Sequence, residues 1–236
     1  MRTRWYAQLR QNAEANQSAG FAAAYRESDE AAKDSDTHAG KCEIIRDLSL
    51  GFTKPIDVLD LGCGTGRYFH CVKNVRSLVG IDPSEHMLQQ ARRPLMGGNH
   101  NVRLIRSTMH EIAFLPQSFD LLICVGVLGV WCPIDEWVLQ RISRMLRYDG
   151  AFFFTAVEYE PIEVTFKRRI ASAVRPLLFG APRRYVDIRL RDFTVSAARL
   201  RVLCEKYFGE VKIAKWQSPT TRVDLHVVLS QPRHGR

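Results

Sequence analysis

Val58-Leu-Asp-Leu-Gly-Cys-Gly-Thr-Gly-Arg67 is the stretch whose reading decides the fold of this 236-residue chain. A short apolar run, Ile56 to Leu61, ends in Gly62-Cys-Gly64-Thr-Gly66, and Arg67 to Val72 then carries the pattern of a helix. Strand, glycine turn and helix in that order open a βαβ unit. Glycines without Cβ let the turn backbone lie against a ligand, and the free N–H groups of the helix start point at it. Asp60, one step before the turn, can accept a hydrogen bond from a cationic or hydroxyl-bearing ligand.

The spacing selects among nucleotide-like ligands. A dinucleotide fold needs G-x-G-x-x-G, whose third glycine would fall on Arg67. Asp60 followed by Gly62, Gly64 and Gly66 resembles motif I of the class I S-adenosylmethionine-dependent methyltransferases, D/E-x-G-x-G-x-G. Ser77-Leu-Val-Gly-Ile-Asp82-Pro-Ser reads as a second strand ending in an acid, 20 residues after Gly62. An acid there can take both ribose hydroxyls of a nucleoside. The resemblance implies an α/β Rossmann-like fold: a seven-stranded, mostly parallel sheet with an antiparallel last strand, helices on both faces and an N-terminal helical lid. It implies S-adenosyl-L-methionine as cofactor, held by Tyr25, Asp60, Gly62, Cys63, Gly64, Gly66, Asp82, Pro83, Met87, Thr108, Met109 and Cys124. Tyr25 is there to meet the methionine carboxylate, or else it is a ring that only pins a helix. Position 108 usually carries an acid for the adenine amine in the family; Thr108 offers a weaker hydroxyl acceptor.

Length and composition suit one α/β domain: 46% apolar, 25% charged, net charge +9. We divide it into a lid (1–50), a cofactor core (51–158), a basic insertion over the acceptor (159–193) and a C-terminal helix with a hairpin (194–230). The six cysteines show no C-x-x-C and no Cys/His ligand spacing, so no metal is expected. With no secretory h-region after Met1, they read as reduced thiols of a cytoplasmic protein. The longest apolar run, Leu121 to Cys132, has 12 residues against about 20 for a membrane span.

Ser84 caps a helix to about Arg93, and 101–106 is the third strand. Asp120 to Val125 is the fourth, apolar as a doubly covered strand should be. Its carboxyl end, Cys124 to Trp131, would line the site, since open α/β sheets bind ligands at strand C-termini. Asp135 starts a helix that Asp149-Gly150 ends, and Ala151 to Val157 is the fifth strand. Residues 159–193 carry eight basic residues against four acids, a basic lid over an anionic or aromatic acceptor or a solvated face, with a short helix over about 162–174. Thr194 caps a last helix before two hairpin strands, Phe208 to Trp216 and Arg222 to Ser230; Gln231 to Arg236 reads as a disordered tail.

The methyl of a sulfonium is already activated, so alignment and water exclusion supply much of the rate, and a base is needed only for a protonated nucleophile. His38, His110, Glu158 and Tyr159 are bases by position only; His38 and Glu158 are the two selected. Methyl transfer to O or N of a small molecule, in secondary metabolism, is the leading reading. The alternatives are an RNA methyltransferase using the arginines of 167–191, or a non-catalytic cofactor-binding regulator. The absence of an Asn/Asp-Pro-Pro-Tyr-type motif after the fourth strand counts against nucleic acid. Oligomeric state is left open.

Overall fold

The computed structural model describes residues 18–96, 102–158, 195–217 and 223–234. The basic insertion with Tyr159, the first apolar residues of the lid segment (Trp5, Tyr6 and Leu9) and the Thr194 cap lie outside the described residues. Two helices lead the described chain: α1 (Ala19–Ala32), whose N-cap Ser18 Oγ accepts from Phe21 N, and α2 (Asp36–Leu50), capped by Ser35. Then come β1 (Ile56–Leu61), β2 (Val75–Asp82), α3 (Glu85–Ala91), β3 (Val102–Arg106) and β4 (Phe119–Cys124). The chain goes on through α4 (Glu136–Met145), β5 (Leu146–Glu158), α5 (Ala197–Glu205), β6 (Phe208–Gln217) and β7 (Val223–Pro232).

The seven strands form one sheet in the order β3-β2-β1-β4-β5-β7-β6. β1 pairs parallel with β2 and β4, as do β2 with β3 and β4 with β5; β7 runs antiparallel to both of its neighbours. Alternation along the strands divides the core between two faces. Leu122, Cys124, Phe152 and Phe154 pack with Leu139 and Ile142 of α4 and Leu200 of α5. Leu121, Ile123 and Phe153 pack on the other face with Cys42 and Ile45 of α2 and Leu88 of α3. Order reversal on either side of β1 and β4 opens the crevice at their carboxyl ends, where a doubly wound sheet holds its ligand.

Several local expectations are corrected. In place of a helix over 67–72 there is only a 3-10 turn, Phe69–Cys71. β2 begins at Val75, and Asn74 (φ 52°) has already turned the chain back, its Nδ2 donating to Phe52 O and Lys54 O. α4 ends at Met145 rather than at Asp149-Gly150, because Leu146 is extended (φ −77°, ψ 145°) and pairs with Phe119 at the start of β5. Ser196 caps α5, its Oγ accepting from Arg199 N. Gln231 and Pro232 belong to β7, and Arg233 N donates to Tyr207 O at 2.7 Å, so the chain stays docked beyond Ser230. Cys42 and Cys71 are not separate thiols but a disulfide; Cys63, Cys124, Cys132 and Cys204 are free and buried. Among the described residues no helix is long and apolar enough to cross a membrane.

Candidate functional site

Gly62, Gly64 and Gly66 all take positive φ (73°, 54° and 77°), a region that side-chain-bearing residues rarely enter. Two of the three also lack room for a side chain. A Cβ on Gly62 would clash with Val127 Cγ2, and one on Gly66 would come within 2.6 Å of the Phe69 ring. A Cβ on Gly64 would meet nothing within 4 Å. The turn is fastened from below: Gly62 N and Cys63 N both donate to Ile81 O of β2, at 2.8 and 2.9 Å.

A cavity of about 280 Å³ opens over this turn. Tyr25 from α1 and Lys41 from α2 form one side, and Asp60, Gly62, Cys63, Gly64, Thr65, Arg67 and Tyr68 form the floor. Val125, Gly126, Val130 and Trp131, after β4, close the other side, as expected of that strand end. Gly126 N donates to Thr155 Oγ1 at 2.9 Å, which holds the β4 exit against β5. A larger cavity of about 790 Å³ lies at the opposite end of the strands, by Ile56, Arg76, Asp120 and Arg147. There Asp57 and Asp120 share Arg147, and Asp57 also pairs with Arg76. These ion pairs join the amino ends of the strands, and ligands of such sheets bind at the other end.

The floor and the first helix are tied together by a buried acid. Asp29 of α1 accepts from Thr65 Oγ1 through one oxygen and from Arg67 Nη1 at 2.9 Å through the other. Arg26, one turn earlier, donates to Arg93 O at 2.8 Å and anchors the same helix beyond α3. Burial raises the Asp29 pKa, against the opposing pull of Thr65 and Arg67.

Two buried carboxylates meet under the turn. Asp82 accepts from Gly64 N at 3.0 Å and Ser84 N at 2.9 Å, and burial lifts its pKa to about 6 despite those bonds. Asp60 has no hydrogen-bond partner among the described residues; burial, then the nearby Asp82, pushes it up to about 7. A buried carboxylate without a partner beside a cavity is a site for a cationic or hydroxyl-bearing group.

Tyr25, Asp60, Gly62, Cys63 and Gly64 are thus brought together in one cavity. Gly66 supports it from behind, and Asp82 from beneath. Pro83 and Met87 follow on the α3 side, with the Met87 side chain buried and its N–H donating to the Ser84 cap. Met109 and Cys124 are core residues. Thr108 Oγ1 donates to Glu111 Oε2 at 3.2 Å, so an acid lies three residues beyond the position where the family usually carries one. His38 is buried, with its pKa lowered to about 4 by burial first and then by Arg67, whose Nε donates to its Nδ1 at 3.2 Å. It faces Arg67 and Cys42, not the cavity. Glu158 accepts from Ala197 N at 2.7 Å and pairs with Lys215 at 2.5 Å; burial raises its pKa, but these partners outweigh it and hold it low. It starts α5 and does not line the cavity. Lys41, Thr65, Arg67 and Tyr68 were not singled out from sequence. Only the position of 65, 67 and 68, within and just after the glycine turn, could have marked three of them.

Comparison with known proteins agrees with this geometry. Residues 58–150 match the family model for a methyltransferase domain. The ubiquinone/menaquinone biosynthesis C-methyltransferase UbiE of Campylobacter jejuni is 30% identical over 114 residues, 44% of this chain and 46% of that one. A malonyl-[acyl-carrier protein] O-methyltransferase of Enterobacter lignolyticus is 30% identical over 103 residues, 42% of this chain and 38% of its own. The chain thus spans less than half the length of these relatives. In fold it is similar to phosphoethanolamine N-methyltransferase 2 of Haemonchus contortus (TM-score 0.61, 13% identity, 82% of this chain and 53% of that one). It is also similar to the N-methyltransferase NodS of Bradyrhizobium japonicum, solved with S-adenosylhomocysteine (TM-score 0.57, 14% identity, 86% and 91%). The matched span begins two residues before Asp60 and takes in the glycine turn, β2 and its closing acid, while the reversed β7 beyond it completes the sheet: residues 58–150 match a methyltransferase domain, and the sheet that holds them is the Rossmann-like fold of S-adenosylmethionine-dependent methyltransferases.

Proposed function

We propose that this chain binds S-adenosylmethionine over the glycine turn and transfers its methyl group to an oxygen or nitrogen atom of a small molecule. The observation that carries the reading is the pairing of a buried Asp60, without a hydrogen-bond partner among the described residues, with the open backbone of Gly64, in one cavity at the carboxyl ends of β1 and β4. The donor set fits the cofactor. Asp60 suits its ammonium group. Asp82 spends one lone pair on each of two N–H donors and keeps acceptor capacity for ribose hydroxyls. Lys41, Arg67 and Tyr25 can answer the methionine carboxylate.

When bound, the sulfonium supplies a methyl group already activated for attack. The residues of the chain position and enclose. The Asp29 bonds to Thr65 and Arg67 hold α1 over the turn, Thr155 holds the β4 exit, and Val125, Val130 and Trp131 give the acceptor an apolar wall. Burial pushes the Tyr68 phenol well above its ordinary pKa and keeps it protonated, so it offers no base. Neither His38 nor Glu158 reaches the cavity. The acceptor would therefore bring its own lone pair, as a neutral amine or an acidic hydroxyl does, and proximity would supply most of the rate.

Calorimetric titration with S-adenosylhomocysteine tests the cofactor half. One site with a Kd on the order of micromolar, about −8 kcal/mol, is expected; no heat with folded protein would overturn it. Methyl-labelled cofactor offered to small amines, small phenols and RNA tests the other half. Label confined to RNA would refute a small-molecule acceptor.

A further inference from the structure

Four sulfur- and nitrogen-bearing side chains converge behind the glycine turn, away from the cavity. Cys42 and His38 sit four residues apart on α2, and His70 and Cys71 follow each other on the 3-10 turn. Cys42 Sγ lies 3.5 Å from His38 Nε2 and 3.7 Å from His70 Nε2, and Cys71 Sγ lies 3.3 Å from His70 Nε2. A tetrahedral zinc ion with Zn–S near 2.3 Å and Zn–N near 2.0–2.1 Å sets its nitrogen and sulfur ligands about 3.5 Å apart. The observed spacings bracket that edge. Geometry alone groups His38, Cys42 and His70 as able to share one ion, and Cys71 adjoins them through the disulfide to Cys42.

The geometry points to a thiophilic divalent-cation site, of the zinc type, formed by Cys42 Sγ, Cys71 Sγ and His70 Nε2 once the disulfide is reduced. The tautomers decide the ligands. Arg67 Nε donates to His38 Nδ1, so neutral His38 keeps its proton on Nε2 and turns a donor, not a lone pair, toward Cys42. His38 is therefore a positioning residue that hydrogen-bonds the Cys42 thiolate. Of the two His70 ring nitrogens, Nε2 lies nearer Cys71 Sγ (3.3 Å against 3.8 Å for Nδ1) and is the one within 3.7 Å of Cys42 Sγ, so it is the atom placed to ligate. Cys42 and Cys71 are buried while His70 is half-exposed, which gives an ion a way in.

The steps balance. A phosphine or dithiol reductant supplies two electrons, the S–S bond breaks, and each sulfur takes a proton from water or from the dithiol. The ion then displaces those two protons to water and forms two metal–sulfur bonds and one metal–nitrogen bond; water takes the fourth position. With Cα atoms 5.1 Å apart, the sulfurs can separate to about 3.8 Å by side-chain rotation. Disulfide and metal are mutually exclusive states of one site.

The test uses the full chain, reduced with a phosphine and freed of metal by a chelator, then titrated with Co2+ and followed by the thiolate-to-cobalt charge-transfer band. One Co2+ per chain is expected, with the band lost in Cys42→Ser and Cys71→Ser. His70→Ala should weaken binding at least about tenfold, and His38→Phe about ten- to a hundredfold with the band retained. Zn2+ should displace the Co2+. A reduced wild type without the band, or an unchanged band in Cys71→Ser, would overturn the assignment. If the serine variants do not fold, oxidised wild type is the control: it should show no band, and a band there equal to that of the reduced protein would overturn it as well.

Discussion

Replacing Asp60 by Asn should make the protein more stable at pH 8 while it costs cofactor affinity. Burial first, and Asp82 second, push Asp60 from an ordinary 3.8 up to about 7 in the folded chain. Between about pH 4 and pH 7 the folded state therefore keeps a proton that the unfolded chain has released, and stability falls as pH rises through that window. It is complete below about pH 4 and lost above about pH 7. A shift of roughly three pH units corresponds to about 4 kcal/mol at most, and Asp82, lifted to about 6, adds a slope of the same sign that the variant retains. Asp60→Asn keeps the shape and removes the ionisation, so a gain of about 2–4 kcal/mol at pH 8 and much less at pH 5 is expected. Urea unfolding of both proteins at the two pH values, with the slopes compared to confirm an equal change in exposed surface, reads this directly. Calorimetry with S-adenosylhomocysteine should show at least about a tenfold weaker Kd in the variant, the loss of one charged hydrogen bond. An Asn variant less stable than wild type by the same amount at pH 5 and pH 8 would refute the reasoning, because Asp60 would then carry no ionisation cost.

Gly64→Val should fold, because its Cβ enters open space, at a cost of about 1–2 kcal/mol for the positive φ, yet bind no S-adenosylhomocysteine; normal binding in calorimetry would move the site elsewhere. Asp29→Ala should cost about 2–3 kcal/mol in urea unfolding, since it strands Thr65 and Arg67, and should weaken the cofactor as α1 loosens. An unchanged urea midpoint would show that the helix is held by other contacts. Reducing the Cys42–Cys71 disulfide, which closes a 29-residue separation, should lower stability by about 3–4 kcal/mol in metal-free buffer, with Zn2+ restoring part of it; a melting temperature indifferent to both reductant and Zn2+ would contradict this.

Much of the fold was legible because the signals that make it are local. Ser84 and Asp135 cap their helices as their positions announce, each side-chain oxygen accepting from the N–H three residues on. Leu121 to Cys124 is apolar at every step because β4 is covered on both faces. The glycine turn was legible for the same reason: three positive φ values in five residues are a backbone requirement that only one residue type meets cheaply. What surrounds the turn was not. Asp29 reaches Thr65 and Arg67 across 36 and 38 positions, and nothing in 1–35 marks which acid of α1 turns inward. The cysteines show the same division more sharply. His38 and Cys42, four apart on a helix, share one face, and His70-Cys71 is a second pair; each was visible alone and neither spelled a ligand set. They meet because Cys42 of α2 and the 3-10 turn pack into the same core on one face of the sheet, where the chain, leaving the glycine turn, has only a 3-10 turn's length before it must become β2. The short turn that corrected the expected helix is thus what sets Cys71 against Cys42. The same segment serves the cofactor cavity on one side and the sulfur cluster on the other, with Arg67 bonded toward both.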